Sequence, residues 1–184
     1  MEKPEQIIVL DIETTGFRAE NDMIVEIGMC YLNLETYSIS PLFSCVCKEK
    51  NKTINAYAWI FRNSSLELIH VKNALFLESY REILQHIFDL QIPITAYNNA
   101  FDFGFLEYRD FTIPKKSFDP QFCMKDIIRI PHHYYELKIP SVTESYQYLF
   151  PEIEYNEEHR AMLDCIDEAK IIGEILKRKY YIFE

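Results

Sequence analysis

The amino-acid sequence predicts an α/β fold in which helices flank a mixed sheet, made of a three-strand antiparallel meander plus parallel strands. Three apolar segments rich in β-forming residues open the chain, and helical segments with one short strand between them follow. No G-x-G-x-x-G motif follows the first strand, which argues against a Rossmann fold. The order of the elements therefore indicates a mixed α/β sandwich.

The three opening segments are predicted to form the meander. Residues 7–13 (IIVLDIE) are nearly all apolar, as expected of a strand that is buried on both faces. Residues 23–36 and 38–48 are two further strands, joined by a tight turn near Glu35–Tyr37.

The chain turns helical from about residue 55, and a helix, a strand and a second helix are predicted there. Apolar residues recur at helical spacing over residues 77–88. Residues 92–97 (IPITAY) predict a short strand, and residues 100–111 predict the helix that begins just after it.

The last third of the chain is predicted to be mainly helical. Residues 116–124 are expected to form either a fifth strand or an extended segment, and residues 131–140 a loop. Ser141 and Glu144 have the spacing of a capping box, which marks the start of a helix. A long amphipathic helix is predicted over residues 159–180.

Length and composition indicate one domain that spans residues 1–184. Hydrophobic residues make up 48% and aromatic residues 15% of the chain, which excludes disorder and suffices for a core. The N-terminal apolar stretch is too short for a signal peptide, and no apolar run could span a bilayer, so we expect a cytoplasmic protein. The five cysteines, an odd number, are expected to be reduced and structural.

The balance of charge restricts the kinds of partner. Nineteen basic and 29 acidic residues give a formal net charge of −10. A strong, non-specific nucleic-acid binder normally carries a basic face, so that class is disfavoured. A polyanionic substrate would have to be met by local bases or by bound metal.

Two acids lie at the end of the first predicted strand. Side chains alternate along a strand, so Asp11 and Glu13 share a face at its carboxyl end, where α/β sheets often bind ligands. Thr14 and Thr15 follow with hydroxyl and backbone N–H groups, and Gly16 lets the chain approach a ligand closely. The alternative is a solvated strand end that leads into an ordinary turn.

Two further stretches place acids next to predicted helix starts. Asp102 falls in the first turn of a helix, where it could simply satisfy the helix dipole, and Asn98 at the preceding junction could hold a loop or contact substrate. His159 and Asp164 can face one point only if His159 lies on the loop that enters the helix. A surface histidine and a solvated aspartate are the alternative.

Taken together, the three stretches point to a metal site. Converging carboxylates without matching Lys or Arg beside them repel one another, and burial increases the cost. Two divalent cations would balance the four charges of Asp11, Glu13, Asp102 and Asp164. Oxygen ligands without thiolates favour Mg²⁺ or Mn²⁺ over Zn²⁺.

The sequence resembles the DEDDh 3′–5′ exonucleases, the DnaQ-like group of the ribonuclease H-like fold, over nearly its whole length. LDIETTGF (10–17), NNAFDFGFL (98–106) and HRAMLD (159–164) match the three family motifs in order. The tyrosine variant of the superfamily would have Tyr at position 160, where this chain has Arg160, so the resemblance is to the histidine class. Glu26, in an EIG stretch that also looks like the family, is expected to be structural.

The resemblance implies a role for each matched residue. Asp11 would bridge two cations, Glu13 and Asp164 would complete the shell of the first, and Asp102 would anchor the second. His159 would take a proton from the attacking water.

The resemblance also implies a substrate and a way to hold it. The substrate would be single-stranded DNA or RNA with a free 3′ end, and the products would be nucleoside 5′-monophosphates. Backbone groups of residues 14–16 and the side chain of Asn98 would hold the terminal nucleotide. Phe17 is a candidate for stacking on a base or, equally, for packing the turn. Phe101, Phe103 and Phe105 are expected in the core.

Several alternatives stay open. A proofreading module that acts with a DNA polymerase and a catalytically silent nucleic-acid-binding domain both fit the fold, although a complete chain of this length would favour a freestanding enzyme. Residues 49–76, where substrate preference is often set, match the family only loosely. A basic cluster (Lys115, Lys116, Lys125 and Arg129) is read as a solvated face. Neither DNA nor RNA is favoured, and the oligomeric state is open.

Overall fold

A computed structural model describes residues 4–183, and its centre is a five-stranded mixed sheet. The predicted domain also includes residues 1–3 and 184, which lie outside the described residues. The strands follow the chain as β1 (Gln6–Thr14), β2 (Ile24–Asn33), β3 (Ile39–Lys48), β4 (Leu75–Phe76) and β5 (Ile94–Thr95). Their order across the sheet is β4-β3-β2-β1-β5. The pairs β1–β2 and β2–β3 are antiparallel, whereas β1–β5 and β3–β4 are parallel. The predicted meander and mixed sheet are confirmed.

Seven α-helices connect and cover the strands in the described part of the chain. They are α1 (Ile60–Asn63), α2 (Leu68–Asn73), α3 (Arg81–Asp89), α4 (Asn99–Glu107), α5 (Pro120–Ile128), α6 (Val142–Leu149) and α7 (Ala161–Lys177). A 3₁₀ turn over Leu77–Tyr80 precedes α3. The helix predicted over residues 77–88 therefore begins as a 3₁₀ turn.

Alternating side chains of β1 pack into two separate cores. Ile8, Leu10 and Ile12 face a cluster that includes buried residues of α3 and α4. Ile7 and Val9 face the opposite side, where they pack with apolar residues of α7. Because residues of one parity share a face, positions 11 and 13 point to the side that α7 covers.

Two segments differ from the sequence prediction. Residues 116–124 do not form a fifth strand: only Lys116 bridges to Ile94, and α5 starts at Pro120. Proline at the first turn of a helix has no N–H to satisfy and a backbone angle suited to helix, so it starts α5 rather than ending a strand. The fifth strand is instead β4, two residues within the region predicted to be helical, which pair with Cys47 and Lys48.

Other local predictions are confirmed. Ser141 Oγ accepts a hydrogen bond from Glu144 N at 3.1 Å, and the Glu144 carboxylate accepts from Ser141 N at 2.9 Å, as in a capping box. Residues 131–140 contain one isolated bridge, between Pro131 and Leu137, and otherwise form a loop.

The cysteines are free thiols, and four of them are buried. Cys123 is partly exposed, so it departs from the expectation of burial. Within residues 4–183, no helix combines the length and the apolar character that crossing a bilayer requires.

Candidate active site

The face of β1 that α7 covers carries the first two acids. Asp11 and Glu13 follow Ile7 and Val9 at the same parity, so their carboxylates lie at the carboxyl end of the strand on the α7 side. Asp11 pairs across the sheet with Gly28. Both acids are partly buried, which confirms that they do not lie on a freely solvated strand end.

Gly28 allows the first turn of α7 to lie against the sheet beside Asp11. A Cβ atom at Gly28 would lie 2.3 Å from the main-chain carbonyl carbon of Ala161, closer than two such atoms can approach. Glu26, which lies two residues before Gly28 on β2, also holds the start of α7 through hydrogen bonds. Its buried carboxylate accepts from Arg160 Nη2 at 2.8 Å and from the amide of Ala161 at 3.3 Å. Glu26 is therefore a structural residue, as the sequence predicted.

The loop before α7 and the first turn of the helix bring His159 and Asp164 together. His159 has φ 52°, in the left-handed region that is rare for residues with a side chain, and it precedes the helix. Asp164 Oδ2 accepts from Arg160 N at 2.8 Å, which closes the helix start. Ligand atoms of Glu13, His159 and Asp164 all lie within 4.8 Å of one another. His159 therefore lies on the loop that enters α7, which is the condition under which His159 and Asp164 can face one point.

Asp102 is brought to the site by α4, the helix that follows β5. Asn98 caps α4 by accepting from Phe101 N at 3.2 Å, so Asp102 lies in the first turn of that helix. Asp102 Oδ1 accepts from the amide of Ile12, which lies between the two acids of β1, at 3.3 Å. β5 runs parallel to β1, so the helix that follows it begins at the same edge of the sheet.

Burial raises the pKa of all four carboxylates, and neighbouring acids add to the effect. Burial, followed by the charges of neighbouring acids, raises the pKa of Asp11 well above its usual value. Burial and the adjacent Asp164 raise the pKa of Glu13 to about 9. Burial raises the pKa of Asp102 to about 8 and that of Asp164 to about 6. Bringing these groups together without counterions is therefore costly.

The unpaired oxygens of the site fit divalent cations. Asp11 Oδ2 and Asp164 Oδ1 are buried and accept no hydrogen bond in the described structure. Within residues 4–183, no Lys or Arg forms an ion pair with any of the four acids. Buried carboxylate oxygens that lack a partner are costly unless a cation or a proton satisfies them. Hard cations that prefer oxygen ligands match this donor set.

A fifth acid, Glu168, belongs to the same group and was not predicted from the sequence. It lies one turn after Asp164 on α7 and exposes only 4% of its surface. Its Oε2 accepts from the amide of Tyr97 at 3.2 Å. Its spacing of four residues from Asp164 was the available signal, because residues i and i+4 share a helix face.

Trp59 also lies at the site and was not predicted. Its ring meets the His159 imidazole edge to face, with centroids 4.5 Å apart and planes at 81°. It is the only tryptophan of the chain, and 52% of its surface is exposed. Residues 49–76 gave no motif from which its position could be deduced.

The turn after β1 uses most of its polar groups internally. Thr14 Oγ1 donates to Gly16 O at 2.6 Å, and Thr15 Oγ1 accepts from Met23 N at 2.9 Å. A Cβ atom at Gly16 would lie 2.4 Å from a carboxylate oxygen of Asp22, so the glycine makes room for that side chain. The threonine hydroxyls therefore hold the loop in shape.

Asn98 and Phe17, both predicted to contact the substrate, differ in how far their side chains are already engaged within the fold. The carboxamide oxygen of Asn98 accepts from Phe101 N and, at 3.0 Å, from Gln121 Nε2. Phe17 is 88% exposed, and its ring meets that of Phe101 in an edge-to-face arrangement with centroids 6.4 Å apart. Phe17 is thus not a turn-packing residue.

Of the three phenylalanines predicted to lie in the core, Phe103 and Phe105 do so, and each exposes 2% of its surface. Phe101 is only partly buried.

Comparison with known proteins gives one family. The family model described as "Exonuclease" (RNase_T) matches residues 8–172. The chain is 28% identical over 176 residues to the PolC-type DNA polymerase III of Clostridium perfringens, an alignment that covers 94% of this chain and 11% of the polymerase. The chain thus spans about a ninth of the length of that curated relative.

Solved structures share the fold at low sequence identity. The nuclease domain of 3′hExo, a DEDDh family member bound to rAMP, superposes with a TM-score of 0.75 at 16% identity, covering 98% of this chain and 97% of that one. Exonuclease I of E. coli in complex with a dT13 oligonucleotide gives a TM-score of 0.71 at 13% identity, covering 95% and 42%. A full-length 3′-exonuclease gives a TM-score of 0.74 at 15% identity, covering 96% and 62%.

Proposed function

This chain belongs to the exonuclease family of RNase T, and we propose that it hydrolyses terminal phosphodiester bonds of single-stranded DNA or RNA from the 3′ end. The products would be nucleoside 5′-monophosphates. We also propose that residues 1–184 form one such exonuclease domain. The match to the exonuclease family model and the fold shared with a DEDDh family member support the assignment of this chain as a DEDDh 3′–5′ exonuclease.

The observation that carries the proposal is the convergence of the unpaired carboxylates with a histidine. Glu13, Asp164 and His159 approach within 4.8 Å, and oxygens of Asp11 and Asp164 have no partner in the described residues. Hydrolysis of a phosphodiester needs charge stabilisation at both the attacking and the leaving oxygen, together with a base for the water proton. Carboxylates that bind cations would supply the charge stabilisation, and the histidine would supply the base.

Each residue of the motifs then has a defined task. Asp11, Glu13, Asp102 and Asp164 would hold two divalent cations, Mg²⁺ or Mn²⁺, which when bound stabilise the charge on the attacking and leaving oxygens. His159 would accept a proton from the attacking water. Its left-handed backbone, held between a loop and a helix whose start is bonded to Glu26, is the kind of strained geometry found at catalytic positions.

The terminal nucleotide would lie between two exposed aromatic side chains. Trp59 lies beside His159, and Phe17 lies beside Phe101, the residue that precedes Asp102. Bases stack on such rings without regard to sequence. Because the threonine hydroxyls are used inside the turn, contacts from residues 14–16 would come from the backbone. Asn98 Nδ2 donates to no described residue and is free to contact the nucleotide.

The test is digestion of 5′-labelled DNA and RNA oligomers of several lengths with Mg²⁺ or Mn²⁺. We expect a ladder that shortens from the 3′ end, nucleoside 5′-monophosphates as products, and resistance of oligomers that carry a 3′-phosphate. The Asp11→Asn variant is the control for contaminating nucleases. Cutting of circular single strands at an equal rate would contradict an exonuclease, and a cation-binding chain that cuts nothing would support a silent binding domain.

A second function, proofreading beside a DNA polymerase, is favoured by one observation. The similarity to the PolC-type polymerase covers 94% of this chain but only 11% of the polymerase. A proofreading module would act weakly alone and faster on a mismatched primer end when a polymerase is added. An exonuclease that works independently would show no such stimulation.

A further inference from the structure

Glu157 is an acid of the loop before α7 that none of the roles above uses. Its Oε1 lies 3.9 Å from His159 Nδ1, within the range of an ion pair. The side chains of Glu157 and His159 expose only 24% and 25% of their surface, so the pair is partly shielded from water. Attraction between two such groups is stronger than between fully solvated ones. Glu157 is therefore placed to act on the imidazole.

The second carboxylate oxygen of Glu157 is held by another element. Thr143, in the first turn of α6, donates from Oγ1 to Glu157 Oε2 at 3.4 Å. The capping box of Ser141 and Glu144 fixes that turn. A carboxylate that is anchored through one oxygen can direct the other oxygen at a fixed partner. The start of α6 thus helps to set where Glu157 Oε1 points.

The imidazole of His159 is restricted by further neighbours. The ring of Trp59 meets it edge to face, with centroids 4.5 Å apart. Ligand atoms of Glu13 and Asp164 lie within 4.8 Å of one of its nitrogens. A carboxylate near one nitrogen of a histidine favours a proton on that nitrogen, and the other nitrogen of the neutral ring then carries the lone pair. The contact with Glu157 therefore bears on which nitrogen can act as a base.

We propose that Glu157 is a positioning residue that holds His159 with a proton on Nδ1, which leaves Nε2 to accept the proton of the attacking water. This inference rests on the proposed function, because it concerns the base of the same reaction. Hydrogen bonds of catalytic groups are often long without substrate and tighten when substrate binds, so the 3.9 Å contact should shorten in the complex. Glu157 itself would neither bind the cations nor take the proton from water.

The first measurement is steady-state hydrolysis of a 5′-labelled oligonucleotide by the full chain with Mg²⁺. Glu157→Leu removes both oxygens at similar volume, and we expect kcat to fall by about 10- to 100-fold, as for other residues that orient a histidine, with little change in KM. Glu157→Gln keeps an oxygen that can accept from Nδ1–H and should recover part of this loss. Thr143→Val removes the anchor on α6 and should lower kcat by a smaller factor.

The second measurement does not depend on turnover. Two-bond ¹H–¹⁵N correlation spectra of the ¹⁵N-histidine-labelled protein distinguish the two neutral tautomers of an imidazole. The spectrum of His159→Ala identifies the signals of His159 among those of the five histidines. At about pH 8, where an ordinary histidine is neutral, and with Mg²⁺ and AMP added, His159 of the wild-type protein should carry its proton on Nδ1. In Glu157→Leu the two tautomers should be mixed.

Two comparisons separate positioning from a structural role. Glu158→Gln alters the next acid of the loop, which is exposed, and should change neither kcat nor the tautomer. Adding Glu157→Leu to His159→Ala should cause no further loss of turnover, because Glu157 acts only through the imidazole. Melting curves verify that each variant is folded. Should Glu157→Leu not fold, Thr143→Val tests the same contact from the side of α6.

The possible results address different claims. An unchanged kcat in folded Glu157→Leu, a proton on Nε2 in the wild type, or a further loss in the double variant would overturn this role of Glu157 and leave the proposed exonuclease standing. Weaker Mn²⁺ binding by Glu157→Gln would also overturn it, since Glu157 would then be a cation ligand. A wild-type chain that hydrolyses no oligonucleotide would count against the exonuclease proposal itself.

Discussion

The main chain of Ala161 lies against Gly28 so closely that a Cβ atom at position 28 would be 2.3 Å from the Ala161 carbonyl carbon. Gly28 also pairs with Asp11 across β1 and β2. The start of α7 can therefore approach the strand that carries the first acids. This contact determines how near His159 and Asp164 come to Glu13.

Replacing Gly28 with alanine should push the start of α7 away from the sheet. The clash is with backbone, which cannot rotate aside, so we expect a loss of about 1–3 kcal/mol in the free energy of unfolding. Cation binding should weaken as well. Urea unfolding and Mn²⁺ titration measure the two effects.

Gly104→Ala is the matched control. Gly104 lies inside α4, and a Cβ atom there meets nothing within 4 Å. Alanine in a helix interior should stabilise the protein by about 0.5–1 kcal/mol and leave cation binding unchanged. Equal behaviour of the two variants would show that the contact between β2 and α7 does not position the site.

Removing the imidazole of His159 should slow turnover without removing the cations. Loss of a general base typically costs about 10²–10⁴-fold in rate. We expect His159→Ala to lose activity in that range while Mn²⁺ still raises the melting temperature. His86→Ala, at an exposed position of α3, is the control. Undiminished turnover would mean that another group takes the proton.

Divalent cations should stabilise the fold through Asp11. A ligand at about 100 times its dissociation constant stabilises by about 2.7 kcal/mol, which for a chain of this size is roughly 5–10 °C in melting temperature. Asp11→Asn should remove most of that rise. Glu174→Gln alters an acid of α7 that pairs with Lys177 and should retain it. A melting curve that does not respond to Mg²⁺ or Mn²⁺ would argue against the site.

The stabilisation by cations should grow with pH. Burial raises the pKa values of Asp164, Asp102 and Glu13 to about 6, 8 and 9, above their ordinary values of about 4. Folded chains then hold protons that unfolded chains release, so raising the pH from about 5 to 9 should destabilise the metal-free protein. Cations bind the deprotonated carboxylates, so the rise in melting temperature should increase over the same interval. Melting curves at constant ionic strength, with and without Mg²⁺, measure both trends; a pH-independent rise would refute them.

Trp59 should contribute to nucleotide binding and report on it. Stacking of one base on an aromatic ring is worth about 1–3 kcal/mol, so Trp59→Ala should raise the KM for oligonucleotides by roughly 5- to 150-fold. Because Trp59 is the only tryptophan, AMP or dTMP should change the intrinsic fluorescence of the wild-type protein. Tyr57→Ala, which removes another exposed aromatic ring of the same segment, is the comparison. An unchanged KM would place the base elsewhere.

Strand parity and helix position were readable from the sequence because they depend on local spacing. Asp11 and Glu13 share a face in any strand, and Asp102 falls in the first turn of α4 as predicted. The helix that begins at Pro120 was not predicted, because residues 116–124 were expected to form a strand or an extended segment.

The fold class and the acids and histidine of the three motifs can be read from the sequence alone, since alternation and helical periodicity are properties of neighbouring residues. Which further side chains join them depends on the packing of the helices on the sheet. Glu168 and Trp59 reach the site through contacts with Tyr97 and His159, residues distant in the chain. Such contacts depend on how helices pack on the sheet, and no local pattern encodes that packing.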